Sequence, residues 1–166
     1  MITVMVVEDN AFVRDTLVEM LAATPDVSVV AECCDGEQVL AAARRFRPSV
    51  VLMDIGLPRV DGLEATRRLL LDDPDTRVVM LTGQLTLDRV RAARALGADG
   101  FLLKDGDPAD VARAIRTVSG GGTAWDPAVS PYLLQDDRGR SAGDTPQSRP
   151  APTGHDAATG RRESER

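Results

Sequence analysis

The chain has 166 residues and a formal charge of −6, a balance that excludes a surface built to coat nucleic acid. Its two cysteines, Cys33 and Cys34, are adjacent, and His155 is its one histidine, which excludes a disulfide framework, a zinc cluster and histidine-based catalysis. No apolar run approaches a bilayer span and Met1 leads straight into a strand-like run, so neither membrane insertion nor a signal peptide is expected and the expected location is cytoplasmic.

Ile2 to Val7 carries Val4, Val6 and Val7 and reads as a first strand ending in Glu8-Asp9-Asn10. Phe12, Val13, Leu17, Val18 and Leu21 recur at helical spacing, which predicts a helix over 11–23, broken at Thr24-Pro25-Asp26. Val27, Val29, Val30 and Ala31 make a second strand. Asp35-Gly36 turns the chain into a helix over 37–46 with Val39, Leu40 and Ala43 inward, and Arg47-Pro48 ends it. Val50-Val51-Leu52-Met53 is apolar at every position, the mark of a strand buried on both faces, and it ends abruptly at a carboxylate, Asp54. Pro58 and Asp61-Gly62 punctuate the next turn, 63–71 is helical, and Asp72-Asp73-Pro74-Asp75 stops it. Arg77 to Leu81 is a fourth strand, ending in Thr82-Gly83-Gln84. A helix over 86–96 puts Leu87, Val90, Ala93 and Leu96 on one face, with Gly97 as terminator. Its arginines, Arg89, Arg91 and Arg94, read as a solvated face. Asp99 to Leu103 is a fifth strand, followed by Lys104-Asp105-Gly106-Asp107-Pro108 and a last helix over 109–119.

Strands and helices alternate with short connections. This predicts an α/β domain over residues 1–120, with a doubly wound five-stranded parallel sheet and helices on both faces. Residues 121–134 carry Trp125, Val129, Tyr132 and two leucines, enough to pack locally against the domain. From Gln135 onward there is no Val, Ile, Leu, Met, Phe, Tyr or Trp. Such a stretch cannot bury enough apolar surface to offset its ordering entropy, so 135–166 is expected to be a disordered tail.

Right-handed crossovers bring the C-terminal ends of parallel strands to one edge of the sheet. In the flavodoxin-like order 2-1-3-4-5, the crevice between strands 1 and 3 receives Glu8, Asp9 and Asp54, flanked by Thr82 and Lys104. Nineteen of the twenty basic residues are arginine, and the one lysine stands at this edge. A compact ammonium is not equivalent to a guanidinium where one point charge must meet a phosphate. Three clustered carboxylates repel one another, and a hard divalent cation such as magnesium relieves the conflict. Metal and ammonium together suit phosphoryl transfer, with a carboxylate as nucleophile.

The strings VVEDNAFVR, VVLMDIGLPRVDGLEA, VVMLTG and GADGFLLKD, with Glu8-Asp9, Asp54, Thr82 and Lys104 each at a strand end, resemble the receiver domain of two-component response regulators. Within that superfamily they are most similar to the NarL/FixJ-type subgroup. The resemblance covers residues 2–120. It implies that Asp54 is the phosphoryl acceptor and that Glu8, Asp9, Asp54 and the backbone carbonyl of Gly56 hold magnesium. It also implies that Thr82 and Lys104 contact the phosphoryl group, and that Thr82 and Phe101 act as switch residues.

In this subgroup, a junction like Gly121-Gly122-Thr123-Ala124-Trp125-Asp126-Pro127 leads into a DNA-reading helix-turn-helix. Here it leads into the apolar-free tail, on which a recognition helix has nothing to pack. The expected function is therefore a response regulator that is a phosphoryl acceptor rather than an enzyme, though it assists its own phosphorylation and dephosphorylation. A histidine kinase would be the donor. Output would pass to an unknown downstream protein or a receiver homodimer, through the face carrying residues 86–103, without direct DNA binding. One alternative is a NarL-type transcriptional regulator whose DNA-binding domain is missing or supplied by a partner. A weaker one is an aspartyl-phosphate hydrolase, which would need a general acid where Gly56 stands.

Overall fold

A computed structural model describes residues 1–137. The elements, in order, are β1 (Ile2–Val7), α1 (Ala11–Ala22), β2 (Val27–Cys33), α2 (Gly36–Phe46), β3 (Val50–Asp54), α3 (Gly62–Asp72) and β4 (Arg77–Thr82). They continue with α4 (Leu87–Leu96), β5 (Gly100–Leu103), α5 (Pro108–Ser119), β6 (Ala124–Trp125), a 3-10 turn (Pro127–Val129) and α6 (Ser130–Asp137). All strands are parallel, in the order β2-β1-β3-β4-β5-β6. The flavodoxin-like winding is as expected, but the five-stranded sheet is corrected to six strands. The sixth is two residues long, too short to leave an alternating pattern in the sequence. Its Ala124 and Trp125 pair with Gly100 and Phe101. Gly100 permits this approach: a Cβ there would lie 2.6 Å from the Ala124 carbonyl oxygen. The expectation of a disordered 135–166 falls, from residue 138 on, outside the described residues.

Successive residues of each strand face opposite ways, so the sheet builds two cores. Val4, Val6, Val50, Leu52, Val79, Leu81 and Leu102 meet Leu21 of α1 and Val111, Ala114, Ile115 and Val118 of α5. Met5, Val7, Val51, Met53, Val78, Met80 and Phe101 meet Val39, Ala43, Leu69, Val90 and Ala93 from α2, α3 and α4. Phe12, one of the residues at helical spacing in α1, does not join either core. It is 81 % exposed and stands beside an apolar cavity of about 390 Å³ between α1 and α5.

The polar punctuation becomes helix caps. Asn10, Asp35, Asp61, Thr86 and Asp107 each accept a backbone N–H of the following first turn. Capping by Asn10 relieves Glu8 and Asp9 of that task and leaves them for other work. At the opposite edge, buried Arg77 pairs with Asp99 at 3.1 Å, and Asp99 also accepts the Val78 N–H at 2.9 Å. That pair joins the start of β4 to the entry of β5.

The two cysteines differ sharply. Cys33 is buried, and burial, helped by its neighbour, pushes its thiol up to about 11, whereas Cys34 is exposed. A thiol reagent at pH 8 is expected to label one equivalent, at Cys34, until the protein is unfolded. Rapid labelling of both in the native protein, read by intact mass, would contradict this packing.

Candidate functional site

Each site residue is delivered by the end of a buried strand. β1 runs into Glu8 and Asp9, β3 ends on Asp54, β4 ends on Thr82, and Lys104 follows β5. Because β1, β3, β4 and β5 are consecutive neighbours in the sheet, residues scattered over about a hundred positions share one rim. Glu8, Asp9 and Asp54 each offer a carboxylate oxygen, and these atoms lie within 4.8 Å of one another. Glu8 is fully buried, Asp54 is 3 % exposed, and Asp9 faces solvent.

Lys104 sits between the two buried acids, with its Nζ 2.6 Å from Glu8 Oε2 and 3.0 Å from Asp54 Oδ1. Burial pushes the Glu8 carboxyl above its ordinary range, although Lys104 and the Asn10 N–H both pull against that. Burial also pulls the Lys104 ammonium down, but the Glu8 and Asp54 carboxylates outweigh it and the net shift is upward. The rim therefore concentrates more negative charge than its one ammonium offsets.

The loop after β3 is shaped around Asp54. Its Oδ1 accepts the Gly56 N–H at 3.0 Å, and Gly62 N–H bonds the Ile55 carbonyl at 3.0 Å. A Cβ on Gly56 would stand 3.7 and 3.8 Å from the two Asp54 oxygens, so glycine keeps side-chain atoms off the carboxylate. Hard oxygen donors, one solvent-facing member and an uncrowded approach are what a magnesium ion that keeps several waters requires. The acidic cluster fits such an ion.

Three neighbours of the rim were not legible in the sequence. Arg59, in the left-handed backbone region at φ 57°, pairs with the Asp35 side chain and lies 3.6 Å from Glu37. It thereby ties the β3–α3 loop to the start of α2. Arg14 donates to the Glu8 carbonyl at 2.9 Å. Arg89, expected on a solvated face, instead turns inward and donates to Thr82 Oγ1 at 3.0 Å. Spacing offered no cue for the first two, and helical position alone did not separate Arg89 from Arg91.

Phe101 is fully buried and stacks on Trp125, with ring centroids 6.2 Å apart and planes 7° from parallel. The Ala124 N–H bonds the Asp99 carbonyl at 2.9 Å, and the Asp126 N–H bonds that of Phe101 at 2.8 Å. Val129, Tyr132 and Leu133 continue the core on the α4 side. The edge carrying residues 86–103, expected to be open for output, is thus lined by the chain's own β6 and α6.

The profile of the response regulator receiver domain matches residues 4–116. The chain belongs to the response regulator receiver domain family. The receiver is 34 % identical over 137 residues to the transcriptional regulatory protein DegU of Brevibacillus brevis, covering 82 % of this chain and 58 % of that one. It is 38 % identical over 135 residues to the response regulator GacA of Pseudomonas viridiflava, covering 80 % and 62 %. It therefore spans about three fifths of the length of these curated relatives. Among solved structures it is similar to a LuxR-family two-component response regulator from an Aurantimonas species. There the TM-score is 0.77 at 29 % identity, over 82 % of this chain and 97 % of that one. Its relatives are NarL/LuxR-type response regulators, as the motif strings led one to expect. Among the described residues of the receiver, no helix is long and apolar enough to cross a membrane.

Proposed function

We propose that this receiver accepts a phosphoryl group on Asp54 from a partner histidine kinase, in a magnesium-dependent reaction, and that the modified site then switches a protein–protein surface. The observation that carries this reading is the meeting of Glu8, Asp9 and Asp54 within 4.8 Å, with Lys104 paired to two of them. The Gly56 N–H and Lys104 both hold Asp54 Oδ1 and so orient the carboxylate for in-line attack on phosphorus, with the donor nitrogen leaving. Glu8, Asp9, Asp54 and the Gly56 carbonyl would hold magnesium, which when bound supplies positive charge for the phosphoryl oxygens. Lys104 supplies a second positive point, and Thr82 a hydroxyl for the transferred group. The same groups would assist dephosphorylation in place. A hydrolase would need a proton donor two residues beyond Asp54, and Gly56 has none.

Domain bounds follow the same reading: a receiver over 1–120, a packing segment over 121–134 and a tail beyond it, in a cytoplasmic protein. Output through α4 and β5, to a downstream protein or a second receiver, entails moving β6 and α6 from that edge. Phe101, stacked on Trp125, connects the edge to the site. Trp125, the chain's one tryptophan, should therefore change its emission when Asp54 is modified.

Magnesium is expected to raise the melting temperature by binding linkage, worth about 2.7 kcal/mol at a hundredfold excess over Kd. Asp9→Ala should remove most of that rise without lowering the metal-free melting temperature. A parent protein whose melting ignores magnesium would refute the metal assignment.

A second reading rests on the relatives: DegU is named a transcriptional regulator, and this chain covers 58 % of it. The receiver would then act with a DNA-binding part that the match does not include. Sequence-specific DNA binding by this chain itself would favour that reading and sink the one without direct DNA contact.

A further inference from the structure

A threonine hydroxyl has one proton to donate and two lone pairs to accept with. In Thr82 all three are engaged. Oγ1 donates to the Gln84 carbonyl at 2.9 Å, accepts the Gln84 N–H at 3.1 Å and accepts Arg89 Nη1 at 3.0 Å. Arg89 also donates to that Gln84 carbonyl at 3.2 Å, so one guanidinium clamps both ends of the turn. The hydroxyl proton is committed to the β4–α4 turn, although Thr82 follows directly on Leu81, the β4 partner of Asp54.

The placement of Arg89 is not explained by its helix. It is the third residue of α4, where a positive charge opposes the helix dipole and an acid would be favoured. Its guanidinium donates to Thr82 and to the Gln84 carbonyl.

We propose that Arg89 is a positioning residue that latches Thr82 with its hydroxyl proton on the Gln84 carbonyl. A group on Asp54 must then compete with the Gln84 carbonyl for the hydroxyl proton. The idea rests on the reading of Asp54 as acceptor and of Thr82 as a contact of the transferred group. Releasing the latch should favour the engaged state, whereas simple removal of a cation near an anion site would disfavour it. The sign of the effect separates the two.

The probe is beryllium fluoride, an anionic phosphoryl mimic, titrated with magnesium into the full chain by calorimetry. Arg89→Ala, and Arg89→Met, which keeps an apolar stem, are each expected to bind it about fivefold more tightly than the parent, the scale of one hydrogen bond. Arg113→Ala removes an exposed cation on α5, ion-paired with Asp110, and should match the parent. Adding Arg89→Ala to Thr82→Ala should change nothing further, because the latch acts through that hydroxyl. Weaker or unchanged binding in Arg89→Ala, or a gain that persists without Thr82, overturns the latch. Absence of binding in the parent overturns the phospho-acceptor reading itself, and the latch with it.

Discussion

Asp54→Asn is expected to abolish phosphoryl uptake while leaving the protein as stable as the parent or more so. With magnesium and a small phosphodonor, the parent should gain the mass of one phosphoryl group and the variant none. The amide keeps the shape of the carboxylate, and its oxygen can still accept the Gly56 N–H that now bonds Asp54 Oδ1 at 3.0 Å. It lacks the anionic oxygen that the proposed attack on phosphorus requires. Stability should not suffer, because Asp54 is one of the groups that raise the carboxyl of buried Glu8; removing it relieves a like-charge repulsion. The loss of function is thus separated from loss of fold. Equal uptake by the variant would move the acceptor elsewhere, and Asp9, solvent-facing in the same cluster, would be the next residue to test.

Gly62→Ala should produce the largest loss of stability among the glycines of the β3–α3 connection. A Cβ at 62 would fall 1.9 Å from the Asp54 carbonyl oxygen, 2.8 Å from its carbon and 2.9 Å from Ile55 Cα. All three are backbone atoms of the segment that presents Asp54, so no side chain can rotate away. The start of α3 must retreat, at a cost of about 3 kcal/mol and a fall in melting temperature on the order of 10 °C. The retreat would also displace Asp54, so phosphoryl uptake should fall along with stability. Gly83→Ala is the matched control: nothing lies within 4 Å of a Cβ there, and its melting should stay near that of the parent. Equal melting of Gly62→Ala and the parent would show that α3 does not press on β3 in this way.

Much of this architecture was legible from residue order. The buried runs at 4–7, 50–53 and 78–81 announce themselves because a strand covered on both faces has no polar position to interrupt it. The rim followed from topology alone, since parallel strands end at one edge and the non-apolar residues at those ends must meet there. What stayed hidden depends on contacts between elements. β6 is specified by a close backbone approach at Gly100 rather than by a pattern. Phe12 obeys helical spacing, yet it lies just off the face that α1 turns to the sheet. The same α4 sequence is compatible with Arg89 in solvent or on Thr82. Only the course of the Thr82-to-Thr86 turn decides that. Likewise Asp35 reads as part of a turn and proves to cap α2, and nothing in its neighbourhood foretells that Arg59 will come to it from the loop after β3.

Lys104, wedged between Glu8 and Asp54, is also the only side-chain amine in the chain. Acylation is therefore not a generic surface event in this protein. Apart from the backbone amino group of Met1, every acetyl transfer, ubiquitin conjugation or amine-reactive dye has one address, and it lies in the proposed acceptor site. A single modification would remove the ammonium that pairs with both buried carboxylates. The other nineteen basic residues are arginine and are inert to lysine-directed enzymes.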